Sequence, residues 1–273
     1  MRTSSSFLEV ARVLAQQAAE RLMELRNTTL VHQRKADHSL VTNADHDADR
    51  IIREGLRRAF PDHAILTEES GLDGSPGAEY MWVVDPLDGT KAYANGISGF
   101  SVMIGLLKAG KPLAGVVVDP MENYVYEAMK GQGCYILHDA NRVSAHVSSR
   151  DDFSAMPVIT STGFPQKVEK NLQAQFTGPW IPALNSVGVK VGYVVRQSAD
   201  IYINHHGVHY WDTCGPQIIL EEAGGLMTFL DGSPLHYALE EGSYRHMGPT
   251  LASNSVRHQE ILSLLRLVKP PLL

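Results

Sequence analysis

The segment Trp82-Val-Val-Asp85-Pro-Leu-Asp88-Gly-Thr90 constrains this chain more than any other: an apolar run stops at two carboxylates and passes at once into a glycine and a threonine. Met81 to Val84 have the aromatic and branched side chains of a buried strand. Pro86 cannot donate to a sheet ladder, so the strand is expected to end here, and Gly89 permits a backbone geometry at the exit that other residues avoid. Two carboxylates separated by two residues can converge on Mg2+, which prefers carboxylates, carbonyls and water. The amides that follow can face a phosphate if a helix begins at Gly89 or Thr90. Metal-assisted phosphoryl chemistry is the first reading.

Competing readings of the same residues are weighed by spacing. Asp-Pro-x-Asp-Gly is a good turn former in its own right. A calcium loop of the EF-hand kind needs a glutamate at its twelfth position, which counting from Asp85 is Gly96. Asp45-His-Asp47-Ala-Asp49 opens like such a loop, yet Arg50 stands where the glycine belongs and Leu56 where the glutamate belongs. A covalent aspartyl phosphate is disfavoured because its two aspartates lie one residue apart after the strand.

Further acids stand at the ends of other elements. Ala64-Ile-Leu-Thr67 is a short apolar run that ends in Glu68-Glu69-Ser70. Tyr210-Trp211-Asp212-Thr213 precedes a helical pattern that stops at Gly224-Gly225, with Asp212 expected near the N-cap, where a plain capping role also explains it. Ser6-Phe-Leu-Glu9 resembles a capping box opening a helix to about Arg26, and a second helix is expected from about Asn43 to Phe60. On that second helix Asp45 is best placed to look into a site, while Asp47 and Asp49 are expected to face solvent. His205, His206 and His209 lack the spacing of a zinc site. They are expected on a loop bordering the pocket, where His206, His209 and Tyr210 suit a nucleobase or serve as ordinary surface.

Short segments split by glycine and proline at Ser101 to Lys108, Gly115 to Asp119, Tyr124 to Met129 and Gly133 to Leu137 read as a strand meander. From about Ser144 strands and helices alternate: Val158 to Ser161, Lys167 to Phe176, Ile181 to Asn185, Gly188 to Arg196, Ile201 to Asn204, the helix after Asp212, Leu226 to Leu230, Leu251 to Ser253 and Val256 to Val268. An α/β chain of two packed lobes is expected, residues 1–140 and residues 141–273.

Four blocks now align in order. Val41-Thr-Asn-Ala-Asp45, Glu68-Glu69-Ser70, Asp85-Pro-Leu-Asp88-Gly-Thr90, and Trp211-Asp212 before Glu222-Ala-Gly-Gly225 resemble the lithium-sensitive, magnesium-dependent inositol monophosphatase superfamily over most of the chain. Within it, Lys91-Ala-Tyr93 after Thr90, Trp211-Asp212-Thr213-Cys214 before Pro216, and Ser186-Val-Gly188-Val-Lys190 resemble 3'(2'),5'-bisphosphate nucleotidases of the sulfate-assimilation type. The resemblance implies a layered α-β-α-β-α sandwich and two or three Mg2+ ions held by Glu68, Asp85, the Leu87 carbonyl, Asp88 and Asp212. It implies a water nucleophile oriented by Thr90 and Asp45, with Glu68 able to help accept its proton. Gly89 and Thr90 would hold the phosphate, and Lys190, Ser161 and Ser186 would contact the rest of a nucleotide, with Asp212 also facing the substrate. The implied substrate is adenosine 3',5'-bisphosphate, with an inositol or sugar monophosphate as the alternative and a non-catalytic binding protein as a third reading.

Composition is compatible with this reading. A 273-residue chain that is 44% hydrophobic can bury a large core, and its formal net charge of -6, with no basic run, does not point to a nucleic-acid polymer as partner. Two cysteines argue against a disulfide framework and fit a reducing cytoplasm. No stretch approaches the roughly 20 apolar residues of a membrane span. A cytoplasmic monomer or homodimer acting on a small phosphorylated substrate is expected.

Overall fold

The computed structural model of the protein describes residues 4–26, 32–34, 40–238, 242 and 244–267. Helix α1 (Ser4–Arg26) buries Ala11, Ala15, Ala18 and Leu22, one stripe at helical spacing. A short hairpin of β1 (His32–Arg34) and β2 (Leu40–Thr42), which no sequence pattern announced, leads into α2 (Asn43–Ala59). Thr42 caps α2, and the Asp45 side chain accepts a hydrogen bond from the Thr42 backbone N–H, a reciprocal capping box.

Then come β3 (Ala64–Thr67), β4 (Gly71–Asp73), β5 (Tyr80–Asp88), the single-turn α3 (Thr90–Ala94), β6 (Ser101–Lys108), β7 (Lys111–Asp119), β8 (Tyr124–Met129), β9 (Cys134–His138) and β10 (Asn141–Ala145). They form an eight-stranded sheet ordered β10-β9-β8-β7-β6-β5-β3-β4, in which β3 and β5 run parallel and the other neighbours antiparallel. The meander therefore has one strand more than expected. Strand β5 does not stop at Asp85 either. Its ladder with β6 shifts register between Asp85 and Asp88, then re-forms at Asp88 opposite Ser101. Pro86 has no N–H to give, so the chain bulges for two residues and re-engages.

The remaining elements are β11 (Val158–Thr160), α4 (Gln166–Gln173), α5 (Val187–Val195), β12 (Ile201–Asn204), β13 (Val208–His209), α6 (Tyr210–Glu222), β14 (Leu226–Phe229), β15 (Arg245–His246), β16 (Thr250–Ser253) and α7 (His258–Arg266). A second sheet has the order β11-β12-β16-β14. The expected element at Ile181 to Asn185 forms no strand. It is an extended connection touching β11 only through isolated bridges at Trp180 and Leu184. Val268, the expected end of the last helix, lies outside the described residues.

Side-chain alternation builds five layers. Ile65, Trp82, Val84, Ile104 and Val116 of the large sheet pack against α1 and α2, while Leu66, Val83, Met103 and Val117 point the other way, onto α5 and α6. That middle helical layer also packs on Ile159, Tyr202, Met227 and Ala252 of the second sheet, whose outer residues Val158, Ile201, Ile203 and Leu251 meet α4 and α7. The order is α-β-α-β-α, as the resemblance implied. Among the described residues no helix is long and apolar enough to cross a membrane.

Helix α6 lies almost on the backbone of β6 and β7. A methyl group at Gly105 would sit 2.4 Å from the Cys214 Sγ, and one at Gly115 would sit 2.5 Å from the Gly215 carbonyl oxygen. Gly115→Ala should therefore destabilise the fold by about 1–3 kcal/mol through overpacking against backbone. Urea unfolding checks this, with Gly77→Ala, where a methyl group meets only the Ser75 Oγ at 3.9 Å, as the near-neutral control.

Candidate active site

Three buried or half-buried carboxylates from two distant segments meet where the bulged end of β5 faces the start of α6. Asp85, Asp88 and Asp212 each offer an oxygen, all within 4.8 Å of one another. The three line a cleft of about 330 Å³ together with Glu68, Leu87, Gly89, Thr90, Lys91, Asn185, His206, His209 and Trp211.

Each carboxylate is held by donors close at hand. Leu87 N–H donates to Asp85 Oδ1 at 3.0 Å, a bond the bulge makes possible. Ser186 Oγ and Gly188 N–H, at the start of α5, donate to Asp88 Oδ2 at 2.7 and 3.1 Å. His209 N–H donates to Asp212 Oδ2 at 2.6 Å, so His209 is the N-cap and Asp212, near the N-cap as expected, is the third helical residue and caps it through this bond. Gly89, at φ 92°, makes the turn from β5 into α3, and a methyl group there would stand 2.5 Å from the Gly99 carbonyl oxygen.

Burial and mutual repulsion dominate the electrostatics. Desolvation, reinforced by the neighbouring carboxylates, pushes the Asp85 and Asp212 carboxyls well above the usual range, and desolvation raises Asp88 as well against the pull of the Ser186 hydrogen bond. Such a cluster is stable in its charged form only with a cation among its oxygens. An all-oxygen donor set of carboxylates and a backbone carbonyl suits a hard divalent ion.

Asp45 sits behind this cluster, 1% exposed, with its carboxyl raised by burial. Its Oδ2 accepts from the Thr42 N–H and hydroxyl, and its Oδ1 accepts from Thr90 Oγ1 at 3.1 Å. Thr90 Oγ1 also lies 3.2 Å from the Leu87 carbonyl oxygen. Asp47 stays off the site, paired with Arg21 of α1. Asp49 corrects the expectation of a solvent-facing side chain: it is 3% exposed, and Ser70 Oγ donates to its Oδ2 at 2.6 Å. Its Oδ1 has no hydrogen-bond partner. The only hint in the sequence was its place one turn after Asp45 on the same face.

The residues expected to contact the rest of a nucleotide are placed differently. Ser186 is fully buried and caps α5 while holding Asp88. Ser161 is buried against Tyr202 and Asn204. Lys190 is 0% exposed, burial lowers its amine to about 7, and its Nζ donates to the carbonyls of Leu184 and Asn185 and to Ser161 Oγ. None of the three lines the cleft, because each is turned inward by these partners. Tyr93 also points inward and donates to the Leu22 carbonyl of α1 at 2.7 Å, leaving Lys91 alone of that pair on the cleft. Tyr210 is buried against Tyr237 and His246, and its hydroxyl donates to the Ala238 carbonyl.

What the rim presents instead is a flat aromatic surface. The rings of His209 and Trp211 stack with centroids 4.5 Å apart and planes within 8°. His206 and Asn185 complete the border. Cys134 and Cys214 are buried thiols, and burial pushes Cys134 up to about 12, so neither is a nucleophile at neutral pH.

Comparison with known proteins shows what the chain as a whole is similar to. A family model described as "Inositol monophosphatase family" matches residues 3–268. The chain is 31% identical to "Nus factor SuhB" of Haemophilus influenzae over 251 residues, 88% of each chain. It is 32% identical to "3'(2'),5'-bisphosphate nucleotidase CysQ" of Aggregatibacter actinomycetemcomitans over 236 residues, 84% of this chain and 86% of that one. Among solved structures, inositol monophosphatase from Anabaena superposes with a TM-score of 0.79 at 30% identity, covering 97% of both chains.

Two outcomes follow from this geometry. Asp212→Asn keeps an acceptor for the His209 N–H but removes one buried negative charge, so in chelator its thermal midpoint should equal or exceed that of the unaltered protein. It should gain little from added divalent cation, whereas the unaltered protein should gain clearly; differential scanning fluorimetry reads both. Ser70→Ala removes the short donor to Asp49 and should cost about 1–3 kcal/mol in urea unfolding, the range for stranding a buried polar group.

Proposed function

The chain belongs to the inositol monophosphatase family, and from that premise we propose that it is a Mg2+-dependent phosphomonoesterase whose preferred substrates are 3'(2'),5'-bisphosphate nucleotides, adenosine 3',5'-bisphosphate giving AMP and phosphate. The observation that carries the nucleotide reading is the parallel His209–Trp211 stack on the rim of the carboxylate cleft, which offers a flat face to a nucleobase. The likeness to the CysQ nucleotidase supports it.

Glu68, Asp85, the Leu87 carbonyl, Asp88 and Asp212 would hold the divalent ions. Such ions supply Lewis-acid stabilisation of the phosphoryl oxygens and lower the cost of deprotonating water at neutral pH. The chain's own residues do the rest. Thr90, whose hydroxyl proton is directed at Asp45 or the Leu87 carbonyl, presents its lone pairs to a water in the cleft and passes that water's proton toward Asp45. Burial raises the Asp45 carboxyl and so makes it a better base. Glu68, on the cleft wall, is a second acceptor. Gly89 and Thr90 border the phosphate, and Lys91, exposed at the mouth, adds positive charge toward an anionic substrate.

An inositol or sugar monophosphatase is the second reading, favoured by the absence of Lys190 from the cleft wall and by the likeness to the Anabaena inositol monophosphatase. Phosphate release from adenosine 3',5'-bisphosphate, inositol 1-phosphate and fructose 1,6-bisphosphate separates the two. The bisphosphate nucleotide is expected to show the highest kcat/KM, and chelator is expected to abolish turnover until Mg2+ is restored. A preference for inositol 1-phosphate overturns the nucleotide reading, and full activity in chelator overturns metal dependence.

A further inference from the structure

Lys190 is a fully buried lysine that the reaction as described does not use; burial lowers its amine to about 7, while Asp88 and Asp212 favour its charged form. It projects from the first turn of α5, yet its ammonium reaches back around the helix N-cap to the Leu184 and Asn185 carbonyls, at 2.9 and 2.7 Å. Its third proton meets Ser161 Oγ at 3.2 Å, and the Tyr202 ring covers it with Nζ 4.9 Å from the centroid. Ser161 in turn donates to Asn204 Oδ1, and Asn204 Nδ2 donates to the His206 carbonyl at 2.6 Å.

The network thus ends at both rims of the cleft. On one side is the segment of Asn185, which lines the cleft, followed directly by Ser186, which holds Asp88. On the other side is His206, also on the cleft wall. Thr162 tightens the first side, its N–H donating to the Leu184 carbonyl at 3.2 Å and its hydroxyl to the Asn185 side chain. The field of Lys190 also acts on Asp88 and Asp212 from behind.

We infer that Lys190 is a positioning residue: its buried ammonium fastens the Leu184–Ser186 segment and, through Ser161 and Asn204, the His206 segment into one rigid rim, without touching substrate. This rests on the reading of the cleft as a phosphatase site. A lysine contacting a second phosphate would improve binding of bisphosphates selectively, whereas a rim fastener affects every substrate alike, because loosening the rim misplaces Asp88 and the rings together.

Two measurements decide it. Native protein in chelator is treated with acetic anhydride, with and without adenosine 3',5'-bisphosphate, and modification is read by peptide mass spectrometry. Lys190 should stay unmodified in both samples and react only after unfolding, while exposed Lys91 reports that the reagent works. Labelling of Lys190 in the folded protein, with protection by the bisphosphate, overturns the inference. The second measurement uses Lys190→Ala and the closer isostere Lys190→Met, checked by circular dichroism. kcat should fall about 10–100-fold on the bisphosphate and on a monophosphate alike, the range for residues that hold ligands in place. The ratio of the two KM values should stay unchanged, and ethylammonium should restore part of the kcat of Lys190→Ala. A rise in KM confined to the bisphosphate overturns it. Labelling of the unaltered protein decides alone if neither variant folds, and it reads independently of which substrate the enzyme prefers.

Discussion

Mutual repulsion among Asp85, Asp88 and Asp212 is the constraint that the rest of the structure answers to. Like charges near 4 Å cost on the order of 4 kcal/mol per pair at an effective dielectric of about 20, and these three are gathered within 4.8 Å. Nothing local to any one segment would assemble them. The bulge at Pro86 turns Asp85 and Asp88 into the same space, and the close approach of α6 to the glycines of β6 and β7 delivers Asp212 to it. Each carboxylate accepts a hydrogen bond from a donor fixed by its own backbone or by the start of α5, which offsets part of the repulsion and aims the free oxygens at the cleft. A site so arranged is ready for a hard cation and strained without one.

Two buried scaffolds hold the cleft from opposite sides. On the side of the large sheet, α2 grips both strand ends: Asp45 receives Thr90 after β5, and one turn later Asp49 receives Ser70 after β3. The two acids are spaced by one helical turn, so the helix acts as a ruler between the two parallel strands. On the opposite side Lys190 collects two carbonyls and a serine hydroxyl. The walls are therefore anchored by two buried carboxyls of one helix and by a buried lysine, and the carboxylate cluster lies between them.

Legibility varied with the range of the physics involved. The apolar stripe of α1, the helix from Asn43 and the apolar runs of β3, β5 and β6 are local signals, and the structure follows them closely, whereas Ser6 and Glu9, where a capping box was expected, lie inside α1 and the capping box stands at Thr42 and Asp45. The hairpin of β1 and β2, the edge strand β10 and the two-residue β13 and β15 have no pattern of their own and exist because a partner lies alongside. Ile181 to Asn185 shows the converse, since an apolar run with only isolated bridges available stays extended and unpaired as a strand. Asp49, Ser186 and Lys190 are the instructive cases among side chains. A carboxylate on a helix, a serine and a lysine look solvated in a sequence, and only the neighbours that three-dimensional packing brings, Ser70, Asp88 and the Leu184–Asn185 carbonyls, turn them inward.

The sequence by itself determined which oxygen donors exist and at which element ends they stand, because strand termination, capping and turn chemistry act over a few residues. Its pattern of strands and helices permitted the five layers, which the family resemblance implied, without dictating them. Tertiary structure alone decided that Asp212 lies beside Asp85 and Asp88, that His209 stacks flat on Trp211 at the rim, and that Lys190 is buried against the Leu184 and Asn185 carbonyls. Those outcomes depend on close approach between segments far apart in the chain. Spacing along a sequence carries no record of which acceptor a buried ammonium finds first.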